Sequence, residues 1–256
     1  MKRQAWDGAA GAGAPATEPV STRNRSPGEA FAAGGGGADR AVPATRTTML
    51  DAAERLFAER GIHQVSTREI LRASGQSNQA ALTYHFGNRL RLIAALLDRR
   101  NGVINDLRHL RLDALVAEGT DQDLHALVEA VVTSVTDVIR REAWGRDFVL
   151  TSVQVLLDPQ LLEIEALLDA SRRSAYARAF GMLRRTAPGL PATVFEARMR
   201  MLGLGLSTSL AKWLRANGPV DASNARRYET MVRDNIDYMV GGLSAPVSTL
   251  RSRGKQ

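Results

Sequence analysis

Residues 66–89 read STREILRASGQSNQAALTYHFGNR, and the two short helices this stretch predicts, on either side of Ser74-Gly75, decide the fold. Ser66 with Glu69 three positions later, just ahead of Ile70 and Leu71, is a capping box that opens a helix; Gly75 closes it. A second short helix is predicted from about Asn78 to His85, stopped by Gly87. Two short helices joined by a tight turn and braced by a longer preceding helix form a helix-turn-helix unit. Its first helix crosses the DNA backbone, and its second faces the major groove. Ile70, Leu71 and Leu82 supply the apolar contacts that set the crossing, with Phe57 and Phe86 closing the core.

Outward from this stretch, helical spacing continues in both directions. Met49, Ala53, Leu56, Phe57 and Arg60 fall at i, i+4, i+7, i+8 and i+11, with Gly61 as the C-cap, giving a first helix of about four turns. Downstream, a long helix opens near Asn88 and carries Leu90, Ile93, Leu97, Ile104, Leu107 and Leu110. Five further blocks are predicted at roughly 121–141, 145–157, 159–187, 191–216 and 222–241. Trp144-Gly145, Asp158-Pro159, Ala187-Pro188-Gly189 and Asn217-Gly218-Pro219 separate them. The predicted fold is all-α, with about nine helices and no competing strand pattern. Its organisation is a tail over 1–44, a helix-turn-helix domain over 45–90, a larger helical domain over 91–243 and a flexible basic tail over 244–256.

Residues 1–44 hold eight of the 22 glycines and four of the nine prolines with few aliphatic side chains, too little apolar surface to offset the entropy of ordering. A disordered extension is expected, its charges summing to only +1. The 256 residues carry 34 Lys and Arg against 27 Asp and Glu, net +7, and lysine is confined to Lys2, Lys212 and Lys255. Arginine suits phosphate and guanine contacts; a GC-rich genome would enrich it equally. Within residues 45–100, nine Arg against five Asp or Glu leave +4, so the excess concentrates on the helix-turn-helix segment. The three basic residues Arg251, Arg253 and Lys255 add +3, and residues 101–250 come to −1. There is no cysteine, hence no disulfide framework or thiolate metal site. No apolar stretch approaches the ~20 residues that span a bilayer, and the basic start lacks an apolar signal region. A cytoplasmic, nucleoid-associated protein is expected.

Around the helix-turn-helix core, the positions expected to face DNA are Thr67, Arg68, Gln76, Ser77, Asn78, Gln79, Ala80, Ala81, Thr83, Tyr84, His85, Asn88 and Arg89. Amides can read adenine, small residues approach a thymine methyl, and hydroxyl, imidazole and guanidinium groups hold phosphates. His85 also fits a structural role on an apolar turn. His63, His109 and His125 lack zinc-site spacing, so no metal is expected. Gly203-Leu204-Gly205 does not follow a strand and is no nucleotide fingerprint. No catalytic set is legible; neither an enzyme nor a cofactor is expected.

Thr48 to Gly61, Ser66-Thr67-Arg68-Glu69-Ile70, Ser74-Gly75 and Leu82-Thr83-Tyr84-His85-Phe86-Gly87-Asn88-Arg89 together resemble the N-terminal domain of the tetracycline-repressor (TetR) family of bacterial regulators. The likeness covers about 50 residues. Gln76 to Ala81 is one residue longer than usual, Thr83 replaces a common Tyr, Arg89 stands where Lys is usual, and Leu90 replaces an acidic residue. The resemblance implies backbone contacts by Tyr84, His85 and Arg89.

It further implies a homodimer formed through the last two helices. Two reading heads on a two-fold axis would reach half-sites about 34–36 Å apart. Along those helices Met199, Leu202, Leu206, Leu210 and Trp213 form one apolar stripe, and Tyr228, Val232, Ile236 and Met239 form another. Internal core accounts for part of both. The middle helices, about 90–187, would enclose an effector pocket; Trp144, Phe148, Gln154, Tyr176, Phe180 and Met182 mix apolar bulk with polar handles, although core packing explains each equally well. The expected function is a ligand-responsive DNA-binding regulator, a repressor released from a palindromic operator by a small molecule. The alternative is an architectural or activating DNA-binding protein without an effector.

Overall fold

The capping box foreseen at Ser66 is fully formed: the Glu69 amide donates to Ser66 Oγ at 3.3 Å, and the Ser66 amide donates to Glu69 Oε2 at 2.8 Å. The bond from the Ser66 amide, with one from Ser66 Oγ–H and an Arg60 ion pair at 2.6 Å, holds the Glu69 carboxyl down at about 2. Helix α2 therefore starts sharply, spanning Thr67–Ala73, and ends on Gly75 at φ 73°, where the Gln76 amide reaches back to Leu71 O at 2.8 Å. That is a Schellman-type stop, and it requires the left-handed conformation glycine adopts without cost. Asn78 Oδ1 accepts from the Ala80 amide at 2.8 Å as α3 (Ala80–Phe86) begins.

This computed structural model describes residues 36–78, 80–161, 163–168, 174–187 and 189–248, the side chains of residues 36–43 and of Glu165 excepted. Residues from Asp39 onward form one compact unit. Helix α1 spans Gly36–Arg60, so it starts upstream of Thr45, inside the segment expected as tail; residues 1–35 and 249–256 lie outside the described residues. Asn88 caps α4 (Arg89–Ala117) by accepting from the Arg91 amide at 2.9 Å, and Asp123 caps α5 (Leu124–Arg141). Gly145 opens α6 (Gly145–Leu157). A Cβ at that position would lie 2.5 Å from Ile139 Cα and O, so only glycine lets α6 leave the end of α5 this closely.

A single 3₁₀ turn at Pro159–Leu161 follows, then α7 (Glu163–Leu167), α8 (Ser174–Thr186), α9 (Ala192–Asn217) and α10 (Ala225–Ser244). The described residues hold ten α-helices and no strand, an all-α fold as expected. The added helix arises within the block expected over 159–187, where α7 and α8 are separate. Among the described residues, no helix is long and apolar enough to cross a membrane.

One apolar core runs through both regions. Met49, Phe57, Ile62, Ile70, Leu71, Leu82 and Phe86 close the reading head, and Leu92, Ile93 and Leu96 carry the same cluster along α4 into the body. Helix α4 then packs against α5, α6, α7 and α8, while α9 packs against α6 and α10, and α10 against α5. With Leu92, Ile93, Leu96 and Phe57 each fully buried, at roughly 1.5–3 kcal/mol per side chain, the reading head does not ride on a free hinge at this seam.

Candidate functional site

Short α3 carries the side chains that look outward. Tyr84 is 76% exposed, and Ala80, Thr83 and Asn88 are also exposed, as are Arg68 on α2 and Ser77 and Asn78 on the intervening turn. Thr67, Gln76, Ala81 and His85 are half-buried around them. Thr83, Tyr84 and His85 border one cleft and Arg68, Gln76 and Ser77 another, whereas Gln79 lies outside the described residues. Arg46 and Arg91, which the helical pattern does not mark, are both exposed and border the cleft beside Thr83, Tyr84 and His85. The Arg46 guanidinium sits 5.0 Å from the Phe86 ring centre. They come from α1 and α4, so their approach to α3 is a tertiary event without a local sequence signal.

Arg89 departs from its expected place. Its Nη2 donates to Ile62 O at 2.5 Å, and its guanidinium lies 5.1 Å from the Phe57 ring centre. The side chain is half-buried, and desolvation pulls its pKa down. It turns inward because the carbonyl at the end of the Gly61 turn and an aromatic face offer partners there. Arg89 braces the head, leaving Arg91 as the exposed guanidinium next to it.

Behind the head, α6 makes the connection. Gln154 Oε1 accepts from the Ile62 amide at 2.8 Å, and its Nε2 donates to Phe57 O at 3.0 Å and to Leu150 O at 2.7 Å. Thr151 Oγ–H reaches Glu54 O at 3.4 Å, and His63 pairs with Asp158. The paired His63 ring and the Gln160 amide lower the Asp158 carboxyl. Beside this seam, Glu54, only 2% exposed, accepts from Arg100 Nε at 3.0 and 3.1 Å and from Nη2 at 2.5 Å. Arg99 approaches within 3.7 Å, and Trp144 lies 4.3 Å beneath the Arg100 guanidinium. Burial raises the Glu54 carboxyl, and the Arg100 bonds oppose that rise.

The opposite face of α6 lines a cavity of about 380 Å³ between α4, α5, α6, α7 and α9. Phe148, Val149, Val155, Ile104, Val135 and Leu210 give it an apolar wall; Asn101, Arg108, Ser152 and Ser207 add polar groups. Of the six residues expected in an effector pocket, Phe148 alone lines this cavity. Gln154 faces the head, and Trp144 packs on Arg100 and on Phe148. Phe180 stacks edge-on against Phe195 at 5.0 Å with Tyr176 on its outer side, and Met182 is buried core. Phe180 and Met182 therefore close on neighbouring helices instead of on the void, and Tyr176 stays exposed.

The apolar stripes of α9 and α10 also turn inward. Met199, Leu202, Leu206, Leu210, Ile236 and Met239 are buried within the chain, and Trp213 and Val232 are half-buried against the same core. Tyr228 donates its hydroxyl to Thr136 O at 2.9 Å and packs against Trp213 at 5.0 Å. The outward face of the pair carries Met201, Leu204 and Tyr238, exposed at 69, 39 and 67%.

The family model for bacterial regulatory proteins of the tetR family matches residues 49–96, which spans α1 from Met49 through the first turns of α4. No curated protein matches the chain. Among solved structures, the fatty acid degradation regulator FadR from Bacillus halodurans superposes with TM-score 0.56 at 15% identity, over 79% of this chain and 97% of that one. NalD, the secondary repressor of the MexAB-OprM multidrug efflux pump in Pseudomonas aeruginosa, gives 0.55 at 23% identity over 79% and 97%. A TetR family transcription regulator from Marinobacter aquaeolei gives 0.50 at 17% over 77% and 97%. At these identities the likeness is one of fold.

Proposed function

We propose that the chain, whose residues 49–96 match the family model for bacterial regulatory proteins of the tetR family, is a dimeric DNA-binding repressor of that kind, released from its operator by a small molecule. The observation that carries this reading is the double duty of α6. One face lines the 380 Å³ cavity with Phe148, Val149, Ser152 and Val155. The other hydrogen-bonds the reading head through Thr151 and Gln154. A ligand that displaces α6 therefore displaces the head, and coupling of ~1–3 kcal/mol already changes affinity 5- to 150-fold.

In this reading α3 enters the major groove, with Ala80, Thr83 and Tyr84 foremost and Arg46, Arg68 and Arg91 flanking on the phosphates. Two heads would be held at half-site spacing by an interface on the outer face of α9 and α10. Met201, Leu204 and Tyr238 are the exposed apolar groups available there. A sedimentation experiment that finds only monomer at micromolar concentrations removes this part of the reading.

Gel-shift titration on the DNA next to the chain's own gene tests the function. A specific shift is expected, and none at any protein concentration would overturn the proposal. Tyr84→Ala is expected to weaken that shift about ten-fold or more, the scale of one to two lost phosphate or base contacts. Because Tyr84 is 76% exposed, the thermal midpoint should stay within about 2 °C of the parent. Circular dichroism melting of the same preparation separates the two effects.

A further inference from the structure

Arg108 on α4 is 7% exposed and lines the cavity. Its Nη1 donates to Asn105 Oδ1 at 2.7 Å, whereas its buried Nε has no hydrogen-bond partner. Other guanidiniums of the same helix meet carboxylates: Arg99 and Arg100 pair with Asp51 and Glu54, and Arg111 pairs with Asp137 at 2.5 Å. Among the described residues no carboxylate lies within ion-pair distance of Arg108. Desolvation holds its pKa down to about 10, which still leaves it charged at neutral pH. A buried cation lacking a counter-charge costs several kcal/mol, and here that cation borders an apolar void.

We propose that the cavity takes an amphiphilic monocarboxylate, its acid group paired with the Arg108 guanidinium and its hydrocarbon body against Phe148, Val149, Ile104 and Leu210. The inference rests on the reading of this cavity as the effector site and adds the ligand's chemical class. The charge balance favours one negative charge. A monoanion neutralises Arg108, while a dianion would leave a net negative charge among apolar walls. The Asn101 amide supplies a neutral donor in the same lining for a second carboxylate oxygen, while the Ser152 and Ser207 hydroxyls already donate to Val149 O and Gly203 O. The wall is otherwise aliphatic and aromatic, which suits either an alkyl or an aryl acid.

The test is isothermal titration of the full chain with octanoate and 4-phenylbutanoate, each beside its primary amide, and with octyl phosphate. At least one acid is expected to bind about ten- to a hundred-fold more tightly than its amide, the value of a hydrogen bond to a charged group. Which of the two binds better distinguishes an alkyl from an aryl source. In Arg108→Met the acid and amide should bind within about two-fold of each other. That variant is expected to fold, since an apolar side chain replaces an unpaired buried charge; the acid–amide comparison on the unaltered chain needs no variant. Equal binding of acids and amides, or tighter binding of octyl phosphate, overturns the carboxylate assignment and leaves the effector cavity standing. Binding of neither class, with the cavity-filling Leu210→Trp leaving the thermal midpoint unaltered by any probe, overturns both.

Discussion

Arg100→Leu is expected to cost the folded state about 3–5 kcal/mol, the penalty for stranding a buried partner charge. Glu54 is 2% exposed and receives three bonds from Arg100, at 2.5, 3.0 and 3.1 Å. For a chain of this size that corresponds to a fall of roughly 6–20 °C in thermal midpoint. The sign of the pH dependence follows from the direction of the Glu54 shift. Burial already raises this carboxyl above 4.5, and Arg100 is the first group opposing it. Without Arg100 the rise grows, so the folded state holds a proton that the unfolded state releases. Stability is then highest below the ordinary carboxylate pKa and falls as pH climbs through the raised value. The deficit against the parent should accordingly be smaller at pH 5 than at pH 7.5 in calorimetric melts. Equal deficits at both would mean that Glu54 is solvated. In the double variant Arg100→Leu with Glu54→Leu, most of the loss should return, because an apolar pair of similar volume replaces the ions.

The second large effect belongs to Gln154→Met, which keeps the volume and removes all three bonds. The Ile62 amide, at the head–body seam, loses its partner, and the Phe57 carbonyl keeps only its bond from the Gly61 amide at 2.9 Å. One unsatisfied group of this kind costs about 1–3 kcal/mol, so the midpoint should drop by roughly 2–12 °C. The functional consequence is more diagnostic. Effector affinity should hold, since Gln154 does not line the cavity. Operator affinity should respond to effector by less than about three-fold, below the usual coupling range. If operator release stays as steep as in the parent, the signal passes by another route, and the Thr151 contact with Glu54 O is the next candidate.

These two side chains mark where sequence legibility stops. The capping box at Ser66, the left-handed stop at Gly75 and the Asn88 cap are all made within five residues, and each was readable because its partners are fixed by the helix itself. The same holds for the exposed face of α3, where small and polar residues alternate with Leu82 and Phe86. Gln154, in contrast, bonds to an amide 92 residues away, and Arg100 to a carboxylate 46 away. Nothing in the local spacing of either distinguishes it from a solvated polar residue.

The amphipathic stripes of α9 and α10 and the aromatic residues of α8 give the complementary lesson. Periodicity states that a face is covered; it carries no information about what covers it. The spacing of Tyr228 and Met239 is as compatible with a partner subunit as with their own core; in the single chain both are buried, on a helix that packs against α5 and α9. For this chain, local sequence specifies the all-α class, the helix-turn-helix head and the capped ends at Ser66, Gly75 and Asn88, because those depend on bonds and contacts three to five residues apart; the start of α1 at Gly36 and the separation of α7 from α8 had no such signal. Tertiary structure alone decided that Arg89 braces instead of reaching outward, that α6 joins cavity to head, and that Arg108 is buried beside a void with its Nε unpaired. A side chain's desolvation and its partners are properties of the packed whole, set by which distant helices happen to meet it.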